Sequence, residues 1–282
     1  APGGRTRLLS IALLGQPTAW VVGMPIVGLL GDVSWRYALL APLVPCVAAL
    51  VAAGRRPAER RRPCSVGIRV VLRSDGVARW AGGEVLTYTA WCGTLVYAGA
   101  LLVGSYGCSR TVVGATLAAC GAAYVPGTLV GRRLAGGRAR RWVLVLTIAA
   151  APVLVLVGTM RPTLAVSGLL LATLSFLIGA RTMAASAIGL AVGRESPIVA
   201  MGLRTSAVQS GYLLGGALGG LAMLAGGPAT TTLALAGLLV AAAAVHIRPS
   251  RRRRREALDT LGADGALASV RATTGPWRPP RA

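Results

Sequence analysis

The sequence has no lysine and no asparagine, one phenylalanine, one histidine, and only eight acidic residues among 282. All thirty basic residues are therefore arginine and the formal net charge is +22, which we interpret as the mark of a GC-rich coding genome. Charged residues make up 13% of the chain, whereas about a quarter is usual in soluble domains. Hydrophobic residues make up 54%, and the mean hydropathy is +0.65. This composition excludes an ordinary soluble protein and favours a membrane protein.

Residues that serve catalysis or metal binding are equally scarce. His246 is the only histidine, and it has no partner at the spacing of metal ligands. No CxxC pair occurs among the five cysteines, which are Cys46, Cys64, Cys92, Cys108 and Cys120. The sequence also lacks a Ser/His/Asp set, paired acids and a phosphate-binding loop. We therefore expect no enzyme, no cofactor and no metal site.

Eight segments are long and apolar enough to cross a bilayer, which takes about 20 residues of helix. They are 8–30, 37–53, 85–104, 111–130, 142–160, 163–180, 205–226 and 229–247. Every acidic residue lies at the end of one of these spans or outside it. The sequence thus predicts an all-α integral membrane protein with eight transmembrane helices.

Arginine alternates between the loops that join these spans. Counted up to Arg255, the segments after spans two, four, six and eight hold twenty-two arginines, and the opposite loops hold only Arg36, Arg110 and Arg161. The positive-inside rule makes the arginine-rich side cytoplasmic and places both ends of the chain there, in a bacterial cytoplasmic membrane. The arginine run at 251–255 fits this bias and an attraction to anionic lipid, so we expect no nucleic-acid partner.

Glycine, proline and arginine motifs recur along the chain. The first span carries Gly23, Pro25 and Gly28, and the fourth carries Gly127. The loop after the fourth span contains Arg132, Arg133 and Arg138. Together with the arginine-rich stretch 54–80, these motifs resemble the major facilitator superfamily, in particular its arabinose-efflux-like and drug-exporter branch, over nearly the whole chain.

The resemblance implies the fold of that superfamily and matches helices five to twelve of its twelve, so four helices would precede this chain. It assigns 1–53 to the last two helices of the first bundle and 54–84 to a cytoplasmic inter-bundle loop. It assigns 85–247 to a six-helix second bundle and 248–282 to a basic, disordered cytoplasmic tail.

The resemblance also implies a function, that of a secondary active transporter. Such an efflux permease or antiporter would export a small amphipathic drug, metabolite or sugar by alternating access. The expected partners are the lipid bilayer, a small organic substrate and the proton as coupling ion, and we expect a monomer. The alternative is a truncated, non-transporting membrane module.

Two polar faces are candidate walls of a substrate cavity. They consist of Thr87, Tyr88, Trp91 and Thr94 on the third span, and Thr205, Gln209 and Tyr212 on the seventh. Either face could line a cavity or pack between helices. The seventh span also carries Gly211, Gly215 and Gly219, whose spacing of four predicts close approach by another helix.

Two charged residues adjoin the predicted spans. Arg181, a further candidate residue of the substrate cavity, follows the sixth span, where it either reaches the cytoplasmic surface or is buried by a shifted span. Glu84 precedes the third span, and we interpret it as a solvated acid favoured at a helix N-terminus. We expect no ionisable group at mid-membrane depth, so that a proton-coupling carboxylate would lie in the preceding helices.

Overall fold

A computed structural model describes residues 2–54, 71–72, 76–193 and 196–247, without the side chains of 2–14, 16, 17 and 53. The predicted tail at 248–282 and most of the predicted loop at 54–84 lie outside the described residues. The chain divides into one unit, Ala1–His246, and a second, Ile247–Ala282, of which only Ile247 is described.

The described residues form α-helices and no strands. The helices are α1 (Pro2–Val33), α2 (Trp35–Leu40), α3 (Leu43–Gly54), α4 (Val77–Tyr106), α5 (Arg110–Leu134), α6 (Ala139–Thr159), α7 (Leu164–Val192) and α8 (Pro197–Ile247). Six segments are long and apolar enough to cross a membrane, one of them joining α2 and α3 over Trp35–Ala52. The chain therefore has the architecture of an all-α, multi-pass membrane protein, while the count of eight spans stays a prediction.

Local sequence signals set the ends of several helices. Ser109 caps α5 and Thr163 caps α7, each accepting a hydrogen bond of 3.3 Å from the backbone N–H three residues later. Within α8 the helix breaks at Gly226 and Gly227, where Gly227 has a φ of 72° and Pro228 follows. The two halves of α8 correspond to the predicted spans 205–226 and 229–247.

The predicted second span, 37–53, overlaps the apolar stretch Trp35–Ala52, but it is interrupted rather than one continuous helix. A turn at Ala41 and Pro42 separates α2 from α3. Pro42 and Pro45 lack the N–H that would continue the helical hydrogen bonds at this point, so the interruption has a covalent cause.

Three helices continue past a charged residue at which a predicted span ends. The structure begins α4 at Val77, ahead of Glu84, and extends α7 to Val192, beyond Arg181. It begins α8 at Pro197, ahead of Arg204. The segment from Val77 to Glu84, which the resemblance assigns to the inter-bundle loop, is therefore helical, and these three charges lie inside helices.

Glycines allow several pairs of helices to lie very close together. A Cβ at Gly28 of α1 would lie 2.8 Å from the carbonyl oxygen of Arg110, and one at Gly114 of α5 would lie 2.6 Å from that of Met24. Gly127 and Gly131 of α5 likewise lie against the backbone of α7 at Phe176 and Ala180. Small residues thus hold α1, α5 and α7 in close contact.

Hydrogen bonds tie the helices at both ends of this unit. At one end the Arg140 guanidinium at the start of α6 donates to the carbonyl oxygen of His246, with Nη2 at 2.6 Å. At the other end the hydroxyl groups of Tyr106 and Ser167 lie 2.7 Å apart, and the Asp32 carboxylate accepts from the backbone N–H of Thr111 at 2.9 Å. The arginine-rich turn before α6 therefore lies at the opposite end from Asp32 and Tyr106, as the alternation of arginine between loops predicts.

Candidate functional site

A buried cluster of charged side chains lies where α4, α7 and α8 meet. Its members are Glu84, Arg181 and Arg204, with relative exposures of 0%, 0% and 8%. Nη1 of Arg181 lies 2.6 Å from Oε1 of Glu84, and Nε of Arg204 lies 3.7 Å from Oε2 of the same carboxylate. One carboxylate is therefore shared by two guanidinium groups, which leaves an excess of positive charge in an apolar bundle.

Arg181 is held by partners on three other helical segments. Its Nε donates to the hydroxyl of Thr147 on α6 at 2.9 Å, and its Nη2 lies 3.5 Å from the carbonyl oxygen of Gly83 on α4. The same Nη2 lies 3.4 Å from Nε2 of His246, near the end of α8. Of the two positions that the sequence allowed for Arg181, the structure shows the buried one.

Gly83 makes the approach of His246 to this cluster geometrically feasible. A Cβ at Gly83 would lie 2.5 Å from Nε2 of His246, so any larger residue would displace the imidazole. His246 itself is buried, with a relative exposure of 7%. The single histidine of the chain therefore belongs to the charged cluster and lies beside Arg181.

Arg204 is linked to the middle of α4 through a tyrosine. Its Nη2 donates to the Tyr88 hydroxyl at 2.6 Å, and that hydroxyl lies 3.2 Å from the hydroxyl of Thr182. The guanidinium carbon of Arg204 also lies 5.6 Å from the centre of the Tyr88 ring. The Tyr88 hydroxyl thus links Arg204 to Thr182 of α7, which directly follows Arg181 in the sequence.

Two polar atoms at the centre of the cluster have no hydrogen-bond partner among the described residues. They are Oε2 of Glu84 and Nε of Arg204, which face each other at 3.7 Å. A buried charged group without its hydrogen bonds is unfavourable and is often found at a functional site. Oε2 is therefore the oxygen of Glu84 on which a proton could be placed without breaking a hydrogen bond to Arg181.

The predicted α4 face is buried rather than open. Thr87 and Thr94 donate their hydroxyls to carbonyl oxygens one turn earlier on the same helix, at 2.9 and 2.8 Å. Thr94 also lines a cavity of about 10 Å³, which has room for about one water but not for an organic substrate. Of this face, Tyr88 is the residue that joins the charged cluster.

Trp91 belongs to an aromatic group formed by α1, α4 and α5. Its ring centre lies 5.9 Å from that of Trp20, which in turn lies 5.5 Å from that of Tyr124 in an edge-on arrangement. Nε1 of Trp91 is buried and has no hydrogen-bond partner among the described residues. Trp91 therefore presents an unused donor one helical turn beyond Tyr88.

The predicted stripe on α8 is exposed at two of its three residues. Thr205 and Gln209 are exposed, and the Thr205 hydroxyl donates to Met201 on its own helix at 3.1 Å. Tyr212 is half-buried and packs against the aromatic and aliphatic core. Thr205 and Gln209 are thus not brought together with the α4 face, whereas Tyr212 packs against the core cluster that includes Tyr88 and Trp91.

The glycines of α8 form a continuous contact with α4. A Cβ at Gly211 would lie 2.5 Å from the Cβ of Tyr88, and one at Gly215 would lie 2.5 Å from the carbonyl oxygen of Thr89. A Cβ at Gly219 would lie 2.6 Å from the ring of Tyr97. The backbone proximity that these glycines permit is what places Arg204 beside Tyr88 and Glu84.

The remaining motif residues lie on α1 and at the junction of α5 and α6. Gly23 and Pro25 are half-buried in α1, where a Cβ at Gly23 would meet nothing within 4 Å. Arg132 and Arg133 are exposed in the last turn of α5, and Arg138 is exposed just before α6. Among the described residues, none of these five forms a hydrogen bond with Glu84, Arg181 or Arg204.

Sequence reasoning missed Glu84 and Arg204 as site residues. A usable signal was present, because each is an isolated charge with no other charged residue within four positions on either side. Because a predicted span ends at each of these charges, hydropathy does not predict that Glu84, Arg181 and Arg204 meet, although their charges partly neutralise one another in the folded bundle.

Comparison with known proteins does not assign a family. No model of a known protein family matches the chain, and a search of curated proteins finds no match. The function must therefore be argued from the chemistry of the cluster and from the motifs in the sequence.

Proposed function

We propose that this chain belongs to a secondary active transporter of the major facilitator type in the bacterial cytoplasmic membrane. It exports a small amphipathic organic solute by alternating access and couples that export to protons. The observation that carries the proposal is the burial of Glu84, Arg181 and Arg204 inside helices that are otherwise apolar. Ionisable residues within membrane helices are costly and mark substrate or proton pathways.

A purely structural role explains the cluster less well. Replacing a buried ion pair by well-packed apolar side chains is often neutral or stabilising, so packing alone does not favour two arginines and a glutamate here. The cluster also joins α4, α7 and α8, so a change of charge at one residue alters the attraction between three helices. This is what a transporter needs if protonation is to change its conformation.

Glu84 is the proposed proton-binding group of this chain. In the described state Arg181 holds Oε1, whereas Oε2 has no hydrogen-bond partner. A proton on Oε2 removes the negative charge that attracts both guanidinium groups, which weakens the link between α4 and the other two helices. When Glu84 is protonated, the positive charges of Arg181 and Arg204 favour the binding of a solute that carries a negative charge.

The exposed polar stripe of α8 supports a route for that solute. The side chains of Thr205 and Gln209 are exposed, and both residues lie on the same helix as Arg204. Polar side chains within a membrane must face protein or water, so the stripe suits a cavity shared with helices of the first bundle. Arg204 would lie at the edge of that cavity, one residue before Thr205.

Transport in liposomes tests the proposal. The purified full-length protein that contains this chain is reconstituted around a pH-sensitive dye, and amphipathic anions, cations and neutral solutes are added with and without a pH gradient. The wild-type protein should move at least one solute together with protons. Glu84→Gln should abolish solute-driven proton movement but retain exchange of labelled solute, while Asp32→Asn, a matched change at an exposed acid, should retain both.

Two results would count against the proposal. If Glu84→Gln moves protons as well as the wild type does, Glu84 is not the coupling group. If no solute moves through the wild-type protein in either assay, the chain is better described as a non-transporting membrane module.

A further inference from the structure

A second basic site lies at the arginine-rich end of the unit, one helical turn from the charged cluster. It is a pocket of about 140 Å³ between the starts of α4 and α6 and the ends of α7 and α8. Its lining includes Arg79, Trp80, Arg140, Ile188, Val192 and Val245. His246 also lines the pocket, so the pocket adjoins the charged cluster, but it lies apart from the exposed face of α8 that carries the proposed route of the solute.

One wall of the pocket is strongly basic. Arg79 and Arg140 both line it, and none of its lining residues, all of which are described, is acidic. The Arg140 guanidinium is fixed in place, because its Nε and Nη2 donate to the carbonyl oxygen of His246 at 3.1 and 2.6 Å. Two arginines in one pocket suit a phosphate group, which guanidinium groups recognise through paired charge-assisted hydrogen bonds.

Another part of the pocket lining is apolar. Ile188 and Val192 on α7 and Val245 on α8 contribute aliphatic surface. Trp80 is held against α7 by a hydrogen bond of 2.8 Å from its indole Nε1 to the carbonyl oxygen of Ala185. A ligand that fills the pocket therefore needs an anionic group at one side and hydrocarbon at the other.

The geometry points to a binding site for a phosphate-bearing anion, which we infer to be the headgroup of an anionic phospholipid. Basic pockets between helices at the cytoplasmic face of a membrane are suited to such headgroups. The arginines would bind the phosphate, and the aliphatic wall with Trp80 would contact the first part of the acyl chains. Free phosphate shares the charged part of this chemistry but not the apolar part.

Lipid binding to the purified full chain tests this inference. Binding of phosphatidylglycerol, of phosphatidylcholine and of inorganic phosphate is measured by native mass spectrometry and by the shift in unfolding temperature. The comparison uses the wild type, Arg79→Gln/Arg140→Gln, and the matched control Arg132→Gln/Arg133→Gln, which removes two exposed arginines at the end of α5. Arg79→Gln alone keeps the bond from Arg140 to His246 and serves if the double variant does not fold.

We expect phosphatidylglycerol to bind and stabilise the wild type and the control, with affinity reduced at least about tenfold in the pocket variants. Phosphatidylcholine should bind no better to the wild type than to these variants. If inorganic phosphate competes with the lipid, the phosphate itself supplies the recognition, and if it does not, the lipid as a whole is required. Equal binding of phosphatidylglycerol to the pocket variants and the control would overturn the inference.

Discussion

Nη1 of Arg181 lies 2.6 Å from Oε1 of Glu84, and neither side chain is exposed. Arg204 approaches the other oxygen of the same carboxylate at 3.7 Å. The three charges come from three different helices, so their energies cannot be considered one residue at a time. Removing the carboxylate leaves two buried cations, whereas removing Arg181 still leaves Arg204 beside Glu84.

This asymmetry predicts the order of stability among variants of the cluster. Breaking a buried ion pair costs about 3–5 kcal/mol of unfolding free energy, because the remaining charge is left without its partner. We expect Glu84→Gln to lower the unfolding temperature in detergent more than Arg181→Gln does. The double variant Glu84→Gln/Arg181→Gln should be more stable than Glu84→Gln alone, since it removes one of the unpaired cations.

Tryptophan fluorescence during thermal unfolding measures these differences, with Arg161→Gln as the control because Arg161 is exposed at the opposite end of the unit. A double variant that loses the full sum of the two single losses would show that the two side chains act independently. The shared-carboxylate account would then be incorrect.

Hydropathy predicted most of the helices but not the cluster that joins them. A window of apolar residues ends at the first charge, so the predicted spans stop beside Glu84, Arg181 and Arg204. In the structure the helices continue, because each charge meets a partner from a distant part of the chain. Sequence separations of 97 residues between Arg181 and Glu84 and of 116 between Arg204 and Tyr88 lie beyond any local pattern.

The glycine spacing of α8, in contrast, was informative because helix packing depends on a local period. Gly211, Gly215 and Gly219 share one face whatever the partner is. The spacing does not show which helix packs against this face. The structure shows that it is α4, at Tyr88, Thr89 and Tyr97. The polar stripe had the same limit, since a period shows which residues share a face but not what covers it.

Neighbouring glycines of α8 offer a direct test of the packing. A Cβ at Gly215 would lie 2.5 Å from the carbonyl oxygen of Thr89 and 2.6 Å from the backbone nitrogen of Gly93, whereas one at Gly216 would meet nothing within 4 Å. We expect Gly215→Ala to lower the unfolding free energy by about 1–3 kcal/mol through overpacking. Gly216→Ala should leave it unchanged or slightly higher. Equal unfolding temperatures for the two variants would contradict the close contact of α8 with α4.

The contact between α1 and α5 predicts a pH-dependent stability. The Asp32 carboxylate accepts hydrogen bonds from the Thr111 hydroxyl and from the backbone N–H groups of Thr111 and Arg110, the latter two at 2.9 and 3.0 Å. These bonds, led by those from Thr111, hold the pKa of Asp32 below its ordinary value of 3.8. A lowered folded-state pKa gives stability that is present above the ordinary value and is lost as the pH falls through the lowered one.

We therefore expect Asp32→Asn to lower the unfolding temperature at neutral pH and to match the wild type at a pH well below 3.8. Thr111→Val removes only the hydroxyl donor and should cause a smaller loss at neutral pH. The unfolding temperatures of the wild type and the two variants, measured from neutral pH to this low pH, test both expectations. A difference between Asp32→Asn and the wild type that does not change with pH would mean that the carboxylate charge is not what stabilises the contact.

The orientation of the chain can be tested with single cysteines. Cys108 lies between α4 and α5, at the end that carries Arg110 and Arg161, and it is half-buried. Gly136 is exposed in the arginine-rich turn between α5 and α6, where a Cβ would meet nothing within 4 Å. If the arginine-rich side is cytoplasmic, Cys108 faces the outside and position 136 faces the cytoplasm.

In intact cells a membrane-impermeant maleimide should label a variant that retains only Cys108. It should label Gly136→Cys, made with all native cysteines replaced by alanine, only after the membrane is permeabilised. Because the two positions lie on adjacent loops, on either side of α5, the comparison tests orientation without depending on the number of spans. Labelling of Gly136→Cys but not of Cys108 in intact cells would show that the topology is inverted. The charged cluster would then lie near the outer face, and a phospholipid of the cytoplasmic leaflet could not reach the basic pocket.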